Sequence, residues 1–296
     1  MRRTLCSLRL PLYFLLLCLI WGATYVVIKV GLRHSPPLTF TFLRAAIGGL
    51  ALGAYALATT RRIPLDLYSH GCAAILGLTN VACFWGMMNL GLTRISAGES
   101  SILTYTQPFL VTVLAWAWLG EKLSPMRMVG LLLGFAGVVV VVAGKVQVSE
   151  HLSWLGYAMT LLGALSWALG TVFFKARQAK LNLLWATALQ AIYGAVPLAM
   201  AAFLLEQPSA VDPSWDLLWS VLFCALGSSA LAYLIWFYLL RQRSASEVSA
   251  YVFLVPVVAV LFGALTLGER LGLLTLLGGG LVLGGIYLVN ADLLRA

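Results

Sequence analysis

Residues 96–123, SAGESSILTYTQPFLVTVLAWAWLGEKL, and residues 244–271, SASEVSAYVFLVPVVAVLFGALTLGERL, are two versions of one stretch. Ser96-Ala97 and Glu99 return as Ser244-Ala245 and Glu247, and Pro108 returns as Pro256. Leu119-Gly120-Glu121-Lys122-Leu123 returns as Leu267-Gly268-Glu269-Arg270-Leu271, again 148 residues later, and 148 is half of the 296-residue chain. Nearer the amino terminus, Trp21 and Lys29 recur as Trp167 and Lys175 at an offset of 146, and Arg44 and Gly48 align with Gln190 and Gly194 at the same offset. The chain reads as a duplication, with residues 1–148 as one copy and 149–296 as the other.

The solvent of the duplicated unit follows from composition. Hydrophobic residues make up 61% and charged residues 10% of the chain, against about 45–50% and about 25% in soluble domains. A soluble core of this length cannot hide so much apolar surface. Apolar runs fall at about 11–30, 36–58, 69–91, 96–118, 124–143, 152–174, 182–204, 214–239, 246–266 and 271–290. Each is near the roughly 20 residues that one helical crossing of a 30 Å hydrocarbon slab requires. The runs are continuous rather than alternating, so helices and not a barrel are expected. The expected fold is an all-α membrane protein of ten transmembrane helices. Five crossings per copy turn the second copy upside down, which gives two inverted five-helix repeats.

The net charge of +9 does not form a stripe that would read nucleic acid, because the basic residues stand at the ends of apolar runs. With the amino terminus in the cytoplasm, thirteen lie inside: Arg2, Arg3, Arg9, Arg61, Arg62, Lys122, Arg127, Lys175, Arg177, Lys180, Arg241, Arg243 and Arg295. Five lie outside, namely Lys29, Arg33, Arg94, Lys145 and Arg270. This asymmetry predicts a cytoplasmic (inner) membrane protein with both termini cytoplasmic. The first apolar run continues past Trp21 to Val30 without a small-residue cleavage site, so it is expected to be retained. The five cysteines include no CxxC pair and are read as packing residues.

Several residues stand out against the apolar background. Ser96 to Glu99 and Ser244 to Glu247 fit capping boxes, while Glu99 and Glu247, on opposite membrane faces, are also candidate gates. Leu-Gly-Glu121 and Leu-Gly-Glu269 read as turns that end helices. Pro108 and Pro256 fall about twelve positions into helices 4 and 9 and are candidate hinges. Gly130-x-x-x-Gly134 and Gly280-x-x-x-Gly284 read as close-packing faces that keep helices 5 and 10 on the outside. Arg44 lies eight residues past Pro36, roughly 12 Å along helix 2, where a charge is costly and marks a site or a structural ion pair. Trp21 and Trp167 fall at mid-depth rather than in the interfacial belts, and a buried indole N–H needs a partner. With Tyr25, Arg44, Trp85, Tyr105 and Tyr251 they form the candidate substrate-binding set, an aromatic cavity with few polar contacts.

Two five-helix copies, a mid-depth Trp in helices 1 and 6, the Pro of helices 4 and 9 and the closing Leu-Gly-Glu-Lys/Arg-Leu turn resemble the EamA-type, ten-helix branch of the drug/metabolite transporter superfamily. Within it the chain is similar to YddG-type amino-acid exporters. The resemblance covers essentially the whole chain. It implies a non-enzymatic, alternating-access exporter of small metabolites, neutral and aromatic amino acids foremost. No cofactor or metal is expected, and the partners are a small-molecule substrate and membrane lipid, with no nucleic acid. A monomer or weak homodimer is expected. An exchanger of phosphorylated or nucleotide-linked sugars from the same superfamily, or a channel, is the alternative. Dianionic substrates would want several buried cations, and Arg44 is the one clearly buried in sequence. An enzyme would need a nucleophile with a base, a metal cluster or paired carboxylates at mid-depth, and the sequence offers none of these.

Overall fold

The computed structural model describes residues 2–95, 100, 103–143, 154–207, 210–258, 262 and 273–295. Side chains are described for these except at 2–9, 25, 29, 141–143, 275, 290 and 292–295. Every regular element among the described residues is helical. In chain order they are α1 (Arg2–Gly31), α2 (Pro37–Thr60), α3 (Leu67–Leu92), α4 (Gln107–Leu119), α5 (Pro125–Ala143), α6 (Trp154–Arg177), α7 (Leu183–Leu205), α8 (Trp215–Gln242), α9 (Ala245–Val258) and α10 (Leu273–Arg295). Six stretches are long and apolar enough to cross a membrane: Leu10–Ile28, Pro37–Thr60, Leu67–Leu92, Trp154–Lys180, Leu183–Leu205 and Trp215–Gln242. Shorter apolar helical stretches lie at Gln107–Leu119, Pro125–Val140, Ala245–Val258 and Leu276–Val289. The chain is a multi-pass membrane protein.

Local chemistry explains the helix ends. Pro37 starts α2 where its missing N–H costs nothing. Asp66 caps α3 by accepting from the Ser69 N–H at 2.7 Å, a bond that also holds its carboxyl below the ordinary range. Asn182, Ser214 and Ser244 cap α7, α8 and α9 in the same way. Gly120 ends α4 with φ 67°, the left-handed conformation that glycine adopts without strain.

Pro108 departs from its expected place inside a continuous helix. The chain turns at Tyr105 and Thr106, and α4 begins afresh at Gln107, so Pro108 stands in the first turn of a new helix. Ahead of Pro256, Tyr251–Phe253 tightens into a 3-10 turn inside α9. Both prolines thus follow a break rather than bend an intact helix, because a break placed ahead of proline leaves it no N–H to waste. Two further irregularities had no sequence signal. π turns occupy Gly77–Cys83 in α3 and Phe223–Leu231 in α8, and 77–83 advanced by 146 gives 223–229.

Close backbone approach organises the packing. α7 lies against α2 and α3, α8 against α1 and α2, α6 against α3 and α4, and α9 against α4. A Cβ on Gly77 would meet Gln190 O at 2.6 Å and Gly194 N at 2.7 Å, so α3 and α7 touch backbone to backbone. α5 and α10 pack along each other; on α5 the expected Gly130 and Gly134 both meet Gly285, while on α10 the expected Gly280 does not take part. The facing residues include Gly130 and Gly137 on α5 and Gly278 and Gly285 on α10, seven apart on each helix, whereas Gly280 meets open space. A seven-residue repeat of small residues keeps one seam along two helices at a shallow crossing angle.

Gly285→Ala would bring a methyl within 2.5 Å of Gly130 O and Gly134 N. It is expected to destabilise the protein by about 1–3 kcal/mol, while Gly280→Ala leaves stability unchanged. Thermal unfolding of the purified variants in detergent checks both.

Candidate functional site

The irregular turns converge on one place. α1 presents Trp21, Thr24 and Ile28 at helical spacing, and α2 brings Arg44. Phe84, Trp85 and Met88 follow the π turn of α3, and Ser228 and Tyr233 come from within and just after that of α8. Tyr105 comes from the break before α4, Val252 from the 3-10 turn of α9, and Trp167 from α6. These residues enclose a cavity of about 50 Å³. Among the described residues, none of α5 or α10 lines it. Pockets that hold small molecules run to about 300–1,000 Å³, so this arrangement is contracted around its site.

Aromatic contacts fix the wall. Trp167 stacks on Phe84 with centroids 4.7 Å apart and planes 7° from parallel. Trp21 meets Trp167 edge-on at 5.5 Å and Tyr233 at 5.8 Å, and Trp85 meets Tyr233 edge-on at 5.4 Å. Each such pair contributes about 0.5–1.5 kcal/mol beyond its buried area, and together they hold the rings as one body. Arg44, 2% exposed, places Cζ 3.9 Å from the centroid of the Trp85 ring. Its repeat mate Gln190 instead accepts a hydrogen bond from Asn80 Nδ2 at 3.1 Å. Among the described residues, no carboxylate lines the cavity.

Of the residues singled out in sequence, Trp21, Arg44, Trp85, Tyr105 and Trp167 line one cavity. Tyr251 stacks on Phe14 at 3.8 Å, and Val252 takes the inward position in this arrangement. The cause is the 3-10 turn, whose three residues per turn shift the phase from that of an α-helix. The Trp167 Nε1–H, expected to find a partner, has none among the described residues. The side chain of Tyr25 and the whole of Glu99 lie outside the described residues. Sequence reasoning passed over Phe84, Met88 and Val252, apolar residues in apolar runs. The spacing Trp21, Thr24, Ile28 is the signal that could have found the α1 face.

One end of the bundle is closed by helix termini. Glu121 accepts from Ala245 N at 2.7 Å, Ser246 N at 3.3 Å and Ser246 Oγ at 2.6 Å, so it caps α9 from the turn after α4. Arg127 Nη1 stands 3.8 Å from the same carboxylate. Lys175 Nζ donates to the carbonyls of Leu240 at 2.5 Å and Arg243 at 2.7 Å, covering the end of α8. Arg241 Nη2 donates to the Gln178 carbonyl at 3.1 Å and to that of Leu181. Glu247, 5% exposed, donates its backbone N–H to the capping Ser244 Oγ at 3.2 Å, and its carboxylate stands 3.6 Å from Arg243 Nη1. At the opposite end, Glu206 accepts from Leu38 N and Thr39 N, both at 2.7 Å, capping α2. Trp185 Nε1 donates to Thr60 Oγ1 at 3.1 Å. The end of α7 thus meets the start of α2 and its start meets the end of α2, so the two helices run antiparallel.

A bundle of apolar helices around a small aromatic cavity with a buried cation defines a membrane solute carrier, and the comparisons give the family. The model of the EamA-like transporter family matches twice, over residues 9–143 and 154–291. The uncharacterized transporter YvbV of Bacillus subtilis (strain 168) is 36% identical over 282 residues, 95% of this chain and 92% of that protein. A probable amino-acid metabolite efflux pump of Escherichia coli (strain K12) is 30% identical over 285 residues, 93% of this chain and 92% of the pump. A protein of known crystal structure shares the fold with a TM-score of 0.81 at 20% identity, covering 97% of this chain and 98% of its own. The chain belongs to the EamA-like transporter family.

Glu121→Ala would leave two buried-end N–H groups and a hydroxyl without their acceptor. It is expected to lower stability by about 2–3 kcal/mol, with Glu121→Gln retaining part of the cap. Melting temperatures of the two variants, compared at equal detergent concentration, check the order.

Proposed function

We propose that the protein exports small carboxylate-bearing metabolites, neutral and aromatic amino acids foremost, from the cytoplasm across the inner membrane by alternating access. The observation that carries this reading is Arg44 at the cavity wall among Trp21, Trp85, Trp167 and Tyr233. A guanidinium in a low-dielectric site grips a carboxylate through two parallel charge-assisted bonds. The surrounding rings take an apolar side chain and offer faces to an ammonium. The name of the Escherichia coli relative supports the amino-acid class. A phosphorylated sugar would bring two charges to a cavity whose wall, among the described residues, carries one cation.

The architecture in this reading is ten transmembrane helices in two inverted repeats, 1–148 and 149–296. The two separate family matches, the antiparallel α2 and α7 and the π turns at equivalent places support it. The end closed by Glu121, Lys175 and Arg243 faces the cytoplasm, as the thirteen-to-five basic asymmetry favours. Opening there parts Glu121 from the start of α9, with the breaks ahead of Pro108 and Pro256 as hinges and Glu247 and Glu99 at the two mouths. Tyr251, adjoining Val252, joins the wall as α9 moves. Transport in this reading is facilitated diffusion, because among the described residues no carboxylate stands at the cavity wall to carry a proton.

Counterflow in proteoliposomes with radiolabelled amino acids, sugars and phosphates tests the substrate class. Arg44→Gln is expected to reduce amino-acid exchange about 10–100-fold, the worth of a charge-assisted bond, and exchange of phosphates alone would overturn the reading. An imposed pH gradient should not drive accumulation. For topology, reporter fusions in the 205–216 connection and at the carboxyl terminus should report opposite sides of the membrane.

A further inference from the structure

The cavity has a second polar pole. Trp167 is 3% exposed, and its ring is fixed by Phe84 stacked on one face and by Trp21 edge-on. Its Nε1–H, itself buried, has no hydrogen-bond partner among the described residues, although the ring lines the cavity. An indole nitrogen donates and cannot accept. A buried donor held rigidly without a partner bears its desolvation cost until an acceptor arrives. Trp236 carries an equally buried, unpartnered Nε1–H, but it stands outside the cavity wall.

The two poles lie at different depths. α6 and α7 are joined by a short connection and α7 runs antiparallel to α2, so α6 runs parallel to α2. Arg44 is seven residues past the start of α2 and Trp167 thirteen past the start of α6. Thr41 on α2 meets Asn89 on α3, while Gly170 on α6 meets Thr79 and Asn80 further back along α3, so Trp167 lies deeper along the bundle than Arg44. That separation suits one elongated solute bound at both ends. The charge-bearing pole takes an anion, and the deeper pole takes an uncharged acceptor, since a lone indole N–H cannot replace the hydration of a second charge.

We propose that Trp167 is a specificity-determining residue. With the substrate carboxylate at Arg44, its N–H donates to an oxygen at the far end of the solute. Carboxylate-bearing solutes with a distal hydroxyl or carbonyl oxygen are therefore preferred over isosteres that end in hydrogen. This rests on the amino-acid reading above and sharpens it: tyrosine should be favoured over phenylalanine, because the phenol oxygen accepts from the indole while the bare ring leaves the donor unpaired.

The test is counterflow of tyrosine and phenylalanine in proteoliposomes containing wild type, Trp167→Phe or Trp236→Phe. Wild type is expected to favour tyrosine about tenfold, the effect of one buried hydrogen bond. Trp167→Phe should bring the ratio to within about twofold, through loss of tyrosine exchange, and Trp236→Phe should leave it at the wild-type value. An unchanged ratio in an active Trp167→Phe overturns the assignment and leaves the amino-acid reading standing. The wild-type ratio is a test that does not depend on the folding of any variant, and no preference for tyrosine there also overturns it. If wild type exchanges neither amino acid, the amino-acid reading itself fails and the assignment falls with it.

Discussion

A chain in hydrocarbon has no water to receive a free N–H or C=O, so every interruption of its helices must be met by another part of the same chain. That constraint ties the segments matched by the family model, 9–143 and 154–291, into one structure. The π turn of α3 leaves carbonyls turned out of the helical ladder. Ser166 Oγ donates to Thr79 O at 2.9 Å and Tyr233 OH to Asn80 O at 3.4 Å, both from the second segment. The start of α2 is capped by Glu206 of the second segment, and the start of α9 by Glu121 of the first. Each of these irregular places costs several kcal/mol if unmet in lipid, and each is satisfied across the duplication. The stitching therefore falls where the helices are interrupted, and the interruptions are where the cavity forms.

The cavity's composition follows from competing magnitudes. Taking a guanidinium out of water costs several kcal/mol even after relaxation, while stacking on an aromatic face returns about 2 kcal/mol when desolvated. Stacking on Trp85 is one of the contacts that offset the burial of Arg44, and a charge remains costlier to place here than an apolar side chain. Leucine there would pack at no such cost. The same reasoning separates Arg44 from Gln190: the neutral amide at the equivalent place is content with a hydrogen bond from Asn80. Positions 44 and 190 thus carry different chemistry, and Arg44 gives the cavity a charged end.

How much of this was legible in sequence depends on contrast. Arg44, Trp21, Trp85 and Trp167 stood out because charge or a polar indole is costly in an apolar run, and these residues line the cavity. Phe84, Met88 and Val252 carry no contrast, since their side chains suit lipid, core and cavity equally. The positions of Pro108 and Pro256 announced disturbance but not its form. A kink and a break satisfy the same missing N–H, and tertiary contacts of Tyr105 and Tyr251 choose between them. The π turns were invisible because an extra residue in a helical turn has no composition of its own. The glycine seam was misread on α10 for a related reason. On α5, Gly130 and Gly134 face α10 as the motif suggested and Gly137 joins them, but on α10 sequence alone does not say which glycines face α5; the backbone approach of Gly278 and Gly285 does.

The contracted cavity and the closed end are two sides of one energy balance. In the proposed reading an amino acid exceeds the cavity of about 50 Å³, so binding widens the site, and a rigid wall of stacked rings widens by moving helices rather than by deforming each ring. The helices that move in that reading are those already broken near the site, α4 and α9. Glu121 supplies the contact that joins them: three hydrogen bonds to the start of α9, each worth about 1 kcal/mol net or somewhat more for a charged acceptor. A lock of a few kcal/mol is the size a bound solute can shift, because a ligand moves a two-state equilibrium only by its differential affinity for the two states. A much stronger lock would hold the carrier in one state, and a much weaker one would let both ends open. The helix-cap chemistry that satisfies backbone groups in lipid therefore also sets the scale of the conformational exchange that transport requires.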